Sequence, residues 1–267
     1  MRCMVAYYYI FIRQSYQRDN GRSTMNLHVK RYGAGQPVVF VHGAGGSSDA
    51  WYFQKQYLKE FMEVILVDLP GHGAAPGIPP RTIEEERDIL REALDELNLK
   101  RCCLVGHSMG GAISLSFALH YADLLAGLVL VATGARLRVR PEILETILTD
   151  KAKASRQIME LAFFEKSAPE MVDAAFRQMM LVDAQAIYND FMSCEQFDLT
   201  GALGGIRTPT LIIGGMEDRL APVHYSEYLQ REIRGSKLVL VPRAGHMVPL
   251  EKPVEINRAI KEFVTAL

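Results

Sequence analysis

Six short apolar runs punctuate the chain: "PVVFV" (37–41), "EVILVD" (63–68), "CCLVGH" (102–107), "GLVLVA" (127–132), "PTLIIG" (209–214) and "KLVLVP" (237–242). Each is continuous rather than alternating, as expected of parallel strands buried on both faces. Helix-period stretches lie between most of them. Thr82 and Glu85 have the spacing of a capping box, and Ile83, Leu90, Leu94 and Leu97 then mark one helix face. Residues 109–121, 222–233 and 253–265 also read as helices. Strands alternating with helices predict an α/β protein, with a mostly parallel sheet covered by helices on both faces. At the N-terminus, "VAYYYIFI" (5–12) reads as an edge strand. Asp19-Asn20-Gly21 signals a hairpin turn, and "STMNLHVKRYG" (23–33) alternates like a second strand.

One interval breaks this rhythm. About 75 residues without a strand signal separate the runs at 127–132 and 209–214. They are helix-like and carry Met159, Phe163, Phe164, Met171, Phe176, Met179, Met180, Phe191 and Met192. Residues 137–205 are therefore expected to form a helical insertion, a lid or cap over the sheet edge. Residues 1–136 and 206–267 then make the core domain. The bland alternative is a set of extra packing helices.

Composition narrows the function classes. Hydrophobic residues make up 49% and charged residues 23% of 267, the balance of an ordinary globular protein. The formal net charge of -1 offers no basic surface, so no nucleic-acid partner is expected. No stretch approaches the roughly 18 apolar residues of a membrane helix. Residues 5–12 are short for a signal peptide and no small-residue cleavage site follows. Cys3, Cys102, Cys103 and Cys194 do not form a disulfide framework, which points to a reducing, cytoplasmic compartment.

The chemistry concentrates in "LVGHSMGGA" (104–112). A strand becomes a helix at Ser108, and Gly106 and Gly110 leave room for a sharp turn that holds the hydroxyl out. Serine is a poor nucleophile near neutral pH and needs a base held by an acid. Of the seven histidines, His246 lies in "PRAGHMVPLEKP", just past the last strand and on the same sheet edge as Ser108. His28, His120 and His224 read as structural or surface residues. His42 and His72 sit in glycine-rich loops, and His107 lies in the turn itself, expected to point elsewhere. Three carboxylates follow strands at that edge. Asp218 is the first choice, Glu217 is expected to face solvent, and Asp68 to brace its own loop. The N–H of Met109, opening a helix, is free to bind a developing oxyanion. A second donor is expected from "HGAGGSSDAW" (42–51), assigned to Ala44. No Lys-Ser/Thr pair follows these glycines, so they do not read as a nucleotide loop. No metal or organic cofactor site is apparent.

Together "VHGAGGSSDAW" (41–51), "DLPGHG" (68–73), "GHSMGG" (106–111), "GGMEDRLAP" (214–222) and "AGHMVPLEKP" (244–253) resemble the α/β-hydrolase superfamily over nearly the whole chain outside the insertion. The order Ser108, Asp218, His246 matches that family. The resemblance implies a carboxylesterase-like serine hydrolase of the α/β-hydrolase fold, acting on small, mostly apolar esters. Ser108 would be the nucleophile, His246 the base, Asp218 the acid, and Ala44 and Met109 the oxyanion donors. Epoxide hydrolases and haloalkane dehalogenases carry aspartate where this chain has Ser108. Proline iminopeptidases typically have tryptophan where Met109 stands, and many ring-cleavage carbon–carbon hydrolases have it where Met247 stands. Thioesterase, enol-lactonase, carbon–carbon hydrolase and perhydrolase chemistry on the same three residues remain alternatives. A small-molecule receptor on this scaffold is a further one.

Overall fold

A computed structural model describes residues 22–24 and 26–267. The edge strand expected at 5–12 and its turn at 19–21 lie outside the described residues. Among the described residues the sheet has eight strands: β1 (Arg22–Thr24), β2 (Leu27–Tyr32), β3 (Pro37–Val41), β4 (Glu63–Asp68), β5 (Cys102–His107), β6 (Leu125–Val131), β7 (Thr210–Gly215) and β8 (Lys237–Val241). They lie in the order β1-β2-β4-β3-β5-β6-β7-β8. The strands β1 and β2 form an antiparallel hairpin, and β2 runs antiparallel to β4. Every pairing from β4 through β3, β5, β6 and β7 to β8 is parallel. All six apolar runs are strands, with bounds within two residues of those expected.

Continuous hydrophobicity is needed because alternate residues of each strand feed different cores. On one face Val39, Val41, Ile65, Val67 and Leu104 pack beneath α2 (Ile83–Glu96), α3 (Met109–His120) and α8 (Val223–Glu232). On the other, Val38, Phe40, Val64, Leu66 and Val105 meet Trp51 and the side chains of α1 (Tyr52–Leu58) and α10 (Pro253–Thr265). The helix α2 starts where expected: Thr82 Oγ1 accepts from Glu85 N at 3.3 Å, and Glu85 Oε2 accepts from the Thr82 hydroxyl at 2.7 Å.

Between β6 and β7 run four helices: α4 (Pro141–Ile147), α5 (Lys151–Ala162), α6 (Pro169–Leu181) and α7 (Ala184–Gln196). They enclose a third apolar cluster that includes Ile147, Ile158, Met159, Met179 and Ile187. The two ends of the segment meet at a β-bridge between Arg136 and Asp198. Leu250, on the single turn α9 (Val248–Glu251), joins that cluster from the core, and Tyr52, Phe53, Leu220 and Met247 pack against it.

Candidate active site

Ser108 lies between β5 and α3 with φ 54° and ψ -116°, a left-handed conformation that costs a non-glycine residue roughly 1–3 kcal/mol. Its backbone is held on all sides. The N–H donates to Val131 O at 2.9 Å, and the carbonyl accepts from Thr133 Oγ1 at 2.8 Å and from Gly111 N at 2.9 Å. A Cβ at Gly106 would strike the Gly110 carbonyl, and one at Gly110 would lie 2.6 Å from His42 O. The flanking glycines therefore allow the crossing backbones to close on each other, which tightens the bend.

Asp218 follows β7 and is 5% exposed. Its Oδ1 accepts from the N–H groups of Leu220 and Ala221, both at 2.8 Å. Its Oδ2 lies 2.8 Å from His246 Nδ1. A carboxylate can only accept here, so Nδ1 carries the proton and the lone pair of the neutral ring sits on Nε2. Glu217 does not face solvent as expected. Its carboxylate accepts from Ala244 N at 3.0 Å, and its own N–H donates to Ala244 O at 3.0 Å. It stitches the acid loop to the histidine loop, a partnership decided by the pairing of β7 with β8 rather than by its neighbours in the chain.

His107 does not point away either. Its Nε2 donates to the His246 carbonyl at 2.9 Å, and the two ring centroids are 4.9 Å apart. Burial, with His246 beside it, pushes His107 down to about 3, so the ring is neutral. Asp68 behaves as expected. It accepts from Ser48 N at 2.6 Å and Ala74 N at 3.2 Å, bracing the loops after β3 and β4 rather than facing His246. His42 accepts from Leu69 N through Nε2 at 3.1 Å, which leaves the proton on Nδ1, directed to Gly43 O at 2.8 Å.

Ala44, Ser108 and His246 line one cavity of about 100 Å³. The serine and the imidazole share this space without a direct hydrogen bond among the described residues. Such contacts are often long before substrate binds. Ala44 N and Met109 N have no backbone carbonyl partner among the described residues. The far wall is apolar and comes largely from the inserted helices: Ile158, Met159, Ala175, Met179 and Phe191. Of the Met and Phe residues singled out in the sequence, Met159, Met179 and Phe191 reach the cavity, whereas Phe163, Met171 and Phe176 pack within the inserted segment.

Sequence reasoning missed Glu251. Its Oε2 accepts from Gly245 N at 2.8 Å, and its Oε1 from Phe164 N at 2.8 Å and Ser167 Oγ at 2.6 Å. It clamps the histidine loop to the inserted segment, and burial raises it above the ordinary glutamate value. Nothing in "PLEKP" signals this, because its partners in the inserted segment, Phe164 and Ser167, are more than eighty residues away. No group of three or more His, Cys, Asp or Glu suited to a metal ion occurs among the described residues. No helix among them is long and apolar enough to cross a membrane.

A sequence model of the family described as "Alpha/beta hydrolase family" matches residues 38–259. The chain is 30% identical over 249 residues to the dihydrolipoyllysine-residue acetyltransferase component of the acetoin cleaving system of Pseudomonas putida, over 86% of this chain. It spans 64% of that relative's length. It is also 30% identical to a 2-hydroxy-6-oxo-2,4-heptadienoate hydrolase of Pseudomonas putida, over 90% of this chain and 92% of that one. A malate-bound thermophilic esterase from Thermogutta terrifontis superposes with a TM-score of 0.83 at 28% identity, over 90% of this chain and 93% of that one.

Proposed function

The chain belongs to the alpha/beta hydrolase family, and from that premise we propose that it is a serine hydrolase of small carboxylic esters with neutral, apolar acyl groups. The reading is carried by one observation: a serine at a left-handed bend and a histidine 2.8 Å from a buried aspartate open on the same apolar cavity. His246 Nε2 takes the proton as Ser108 Oγ attacks the ester carbonyl. The tetrahedral oxyanion rests on the N–H groups of Ala44 and Met109, each donor of this kind being worth roughly 3 kcal/mol of barrier. The imidazolium, steadied by Asp218, returns its proton to the departing alcohol. Water then enters, gives its proton to His246 and releases the acid, restoring the serine. Residues 137–205 act as the lid, and their Met and Phe side chains shape the acyl pocket.

Carbon–carbon bond hydrolysis is the second reading, favoured by the dienoate hydrolase likeness. A substrate with a free carboxylate needs a fixed cation, and the cavity lining contains neither lysine nor arginine among the described residues. Neutral esters suit it better. The three described cysteines are buried free thiols, which fits a reducing compartment.

The test is a panel of nitrophenyl esters from acetyl to octanoyl, with a thioester, a lactone and a vinylogous diketone acid, assayed beside Ser108→Ala. Ester turnover should lead the panel and fall at least about a thousandfold in the variant. Activity that survives Ser108→Ala, or a fluorophosphonate that leaves Ser108 unlabelled, would overturn the assignment. Preference for the diketone acid would favour the second reading.

A further inference from the structure

A second buried constellation lies beside the oxyanion loop and takes no part in the steps above. Asp190, on the inserted helix α7, places Oδ2 2.7 Å from the N–H of Gly45. The same oxygen lies 2.9 Å from His72 Nε2, and both side chains are fully buried. His72 belongs to the loop after β4, and its Nδ1 donates to Pro70 O at 2.9 Å. Burial alone would lower His72, but the Asp190 charge overrides it and raises the imidazole to about 9, so the ring is protonated near neutral pH. One carboxylate from the insertion thus ties together two loops of the core. The neighbouring Asn189 adds a contact to the same stretch, donating to Pro79 O at 2.8 Å.

The turn being held is the one that presents Ala44. Gly46 N donates to Gly43 O at 3.1 Å, which makes residues 43–46 a β-turn with Ala44 and Gly45 at its centre. Gly45 has φ 63°, as the third residue of a type II turn does. The N–H that Asp190 accepts belongs to the central peptide of this turn. If that peptide flipped, the Ala44 carbonyl would turn toward a buried carboxylate. Asp190 therefore favours one of the two turn forms by charge.

We propose that Asp190 is a positioning residue for the oxyanion site: through Gly45 N–H it fixes the turn carrying Ala44, with His72 as its counter-ion. This rests on the serine-hydrolase reading for its catalytic consequence, but not for the latch itself. Phe191, the residue after Asp190, lines the cavity. The helix that contacts the acyl group therefore also holds an oxyanion donor in place.

Three measurements test it. In the unaltered protein, the Gly45 amide proton should resonate far downfield and exchange slowly. A random-coil shift or fast exchange would overturn the latch with no variant involved. In Asp190→Asn and Asp190→Ala, exchange of the peptide covering residues 43–47 should accelerate. Turnover per phosphonate-titrated site should fall roughly 10- to 100-fold, with Asn less affected than Ala and KM within about twofold, because a misplaced donor is felt in the transition state. A purely structural role would lower the melting temperature and the fraction of titratable sites while leaving turnover per site intact, and that result would overturn the proposal. If the unaltered protein cleaves no ester through Ser108, the functional reading fails by itself, and the two exchange measurements still decide the latch.

Discussion

Ser108 shows what a single residue contributes. Its left-handed backbone is unfavourable in isolation and persists because Val131, Thr133 and Gly111 hold its peptide groups. Glu86 is a different kind of costly residue. It is 1% exposed, and neither carboxylate oxygen has a partner among the described residues. Burial, reinforced by the Asp190 charge, pushes it well above the ordinary glutamate value. A carboxyl raised in the folded state contributes full stability below its unfolded value of about 4.5 and loses it as pH rises through the folded value. Glu86→Gln, which stays neutral throughout, should therefore gain on the native protein as pH increases. From pH 4.5 to 8 the difference in unfolding free energy should move by more than about 1 kcal/mol in favour of the variant, read from urea midpoints. A pH-independent difference would mean that Glu86 is ionised or solvated.

At the scale of elements, the strands position the candidate residues and the helices between β6 and β7 supply much of the apolar cavity wall. Strand β5 delivers Ser108, β7 delivers Asp218 and β8 delivers His246, all at one edge of the sheet. The apolar cavity wall comes largely from α5, α6 and α7, where Met179 approaches the loop after β3 closely enough that a Cβ on Gly45 would lie 3.0 Å from its Cε. Shortening it should lengthen the pocket. Met179→Ala is expected to raise the octanoyl-to-acetyl ratio of kcat/KM by roughly tenfold, at a stability cost of about 2 kcal/mol. An unchanged chain-length profile would place the acyl group elsewhere. Such assignments were only half legible in the sequence. A Met- and Phe-rich stretch announces helices with an apolar face, but Phe163 and Met159 look alike in a string, and only the way the helices are turned sends one inward and the other to the cavity.

Three buried histidines, His42, His72 and His107, are held in opposite charge states, and the stability of the whole molecule should reflect this. His42, lowered to about 4 by burial and by the nearby His72, and His107, lowered to about 3, stay neutral when folded. Unfolded, both take up a proton below about 6.5. Stability should therefore fall as pH drops through 6.5, well before most carboxylates titrate. His72, raised to about 9, works in the other direction: its contribution is complete below 6.5 and is lost as pH rises toward 9. The denaturation midpoint should peak near about pH 6 and decline on both sides. A plateau from pH 5 to 9 would show that these rings titrate as freely in the fold as outside it.

The chain by itself determined the elements and the frame of the site. Hydrophobic continuity marks each strand, small residues mark the bend at Ser108, and the chain order of serine, acid and histidine follows from which strand each one ends. These are local signals, written within a few residues of the place they govern. Tertiary structure alone decided the second layer. Glu217 reaches Ala244, Glu251 reaches Phe164, His107 supports the carbonyl of His246, and Asp190 crosses 145 positions to the Gly45 N–H. A buried carboxylate takes its partner from whatever backbone donor packing leaves unsatisfied beside it, and that depends on how whole helices and strands come to rest, which no short stretch of sequence encodes.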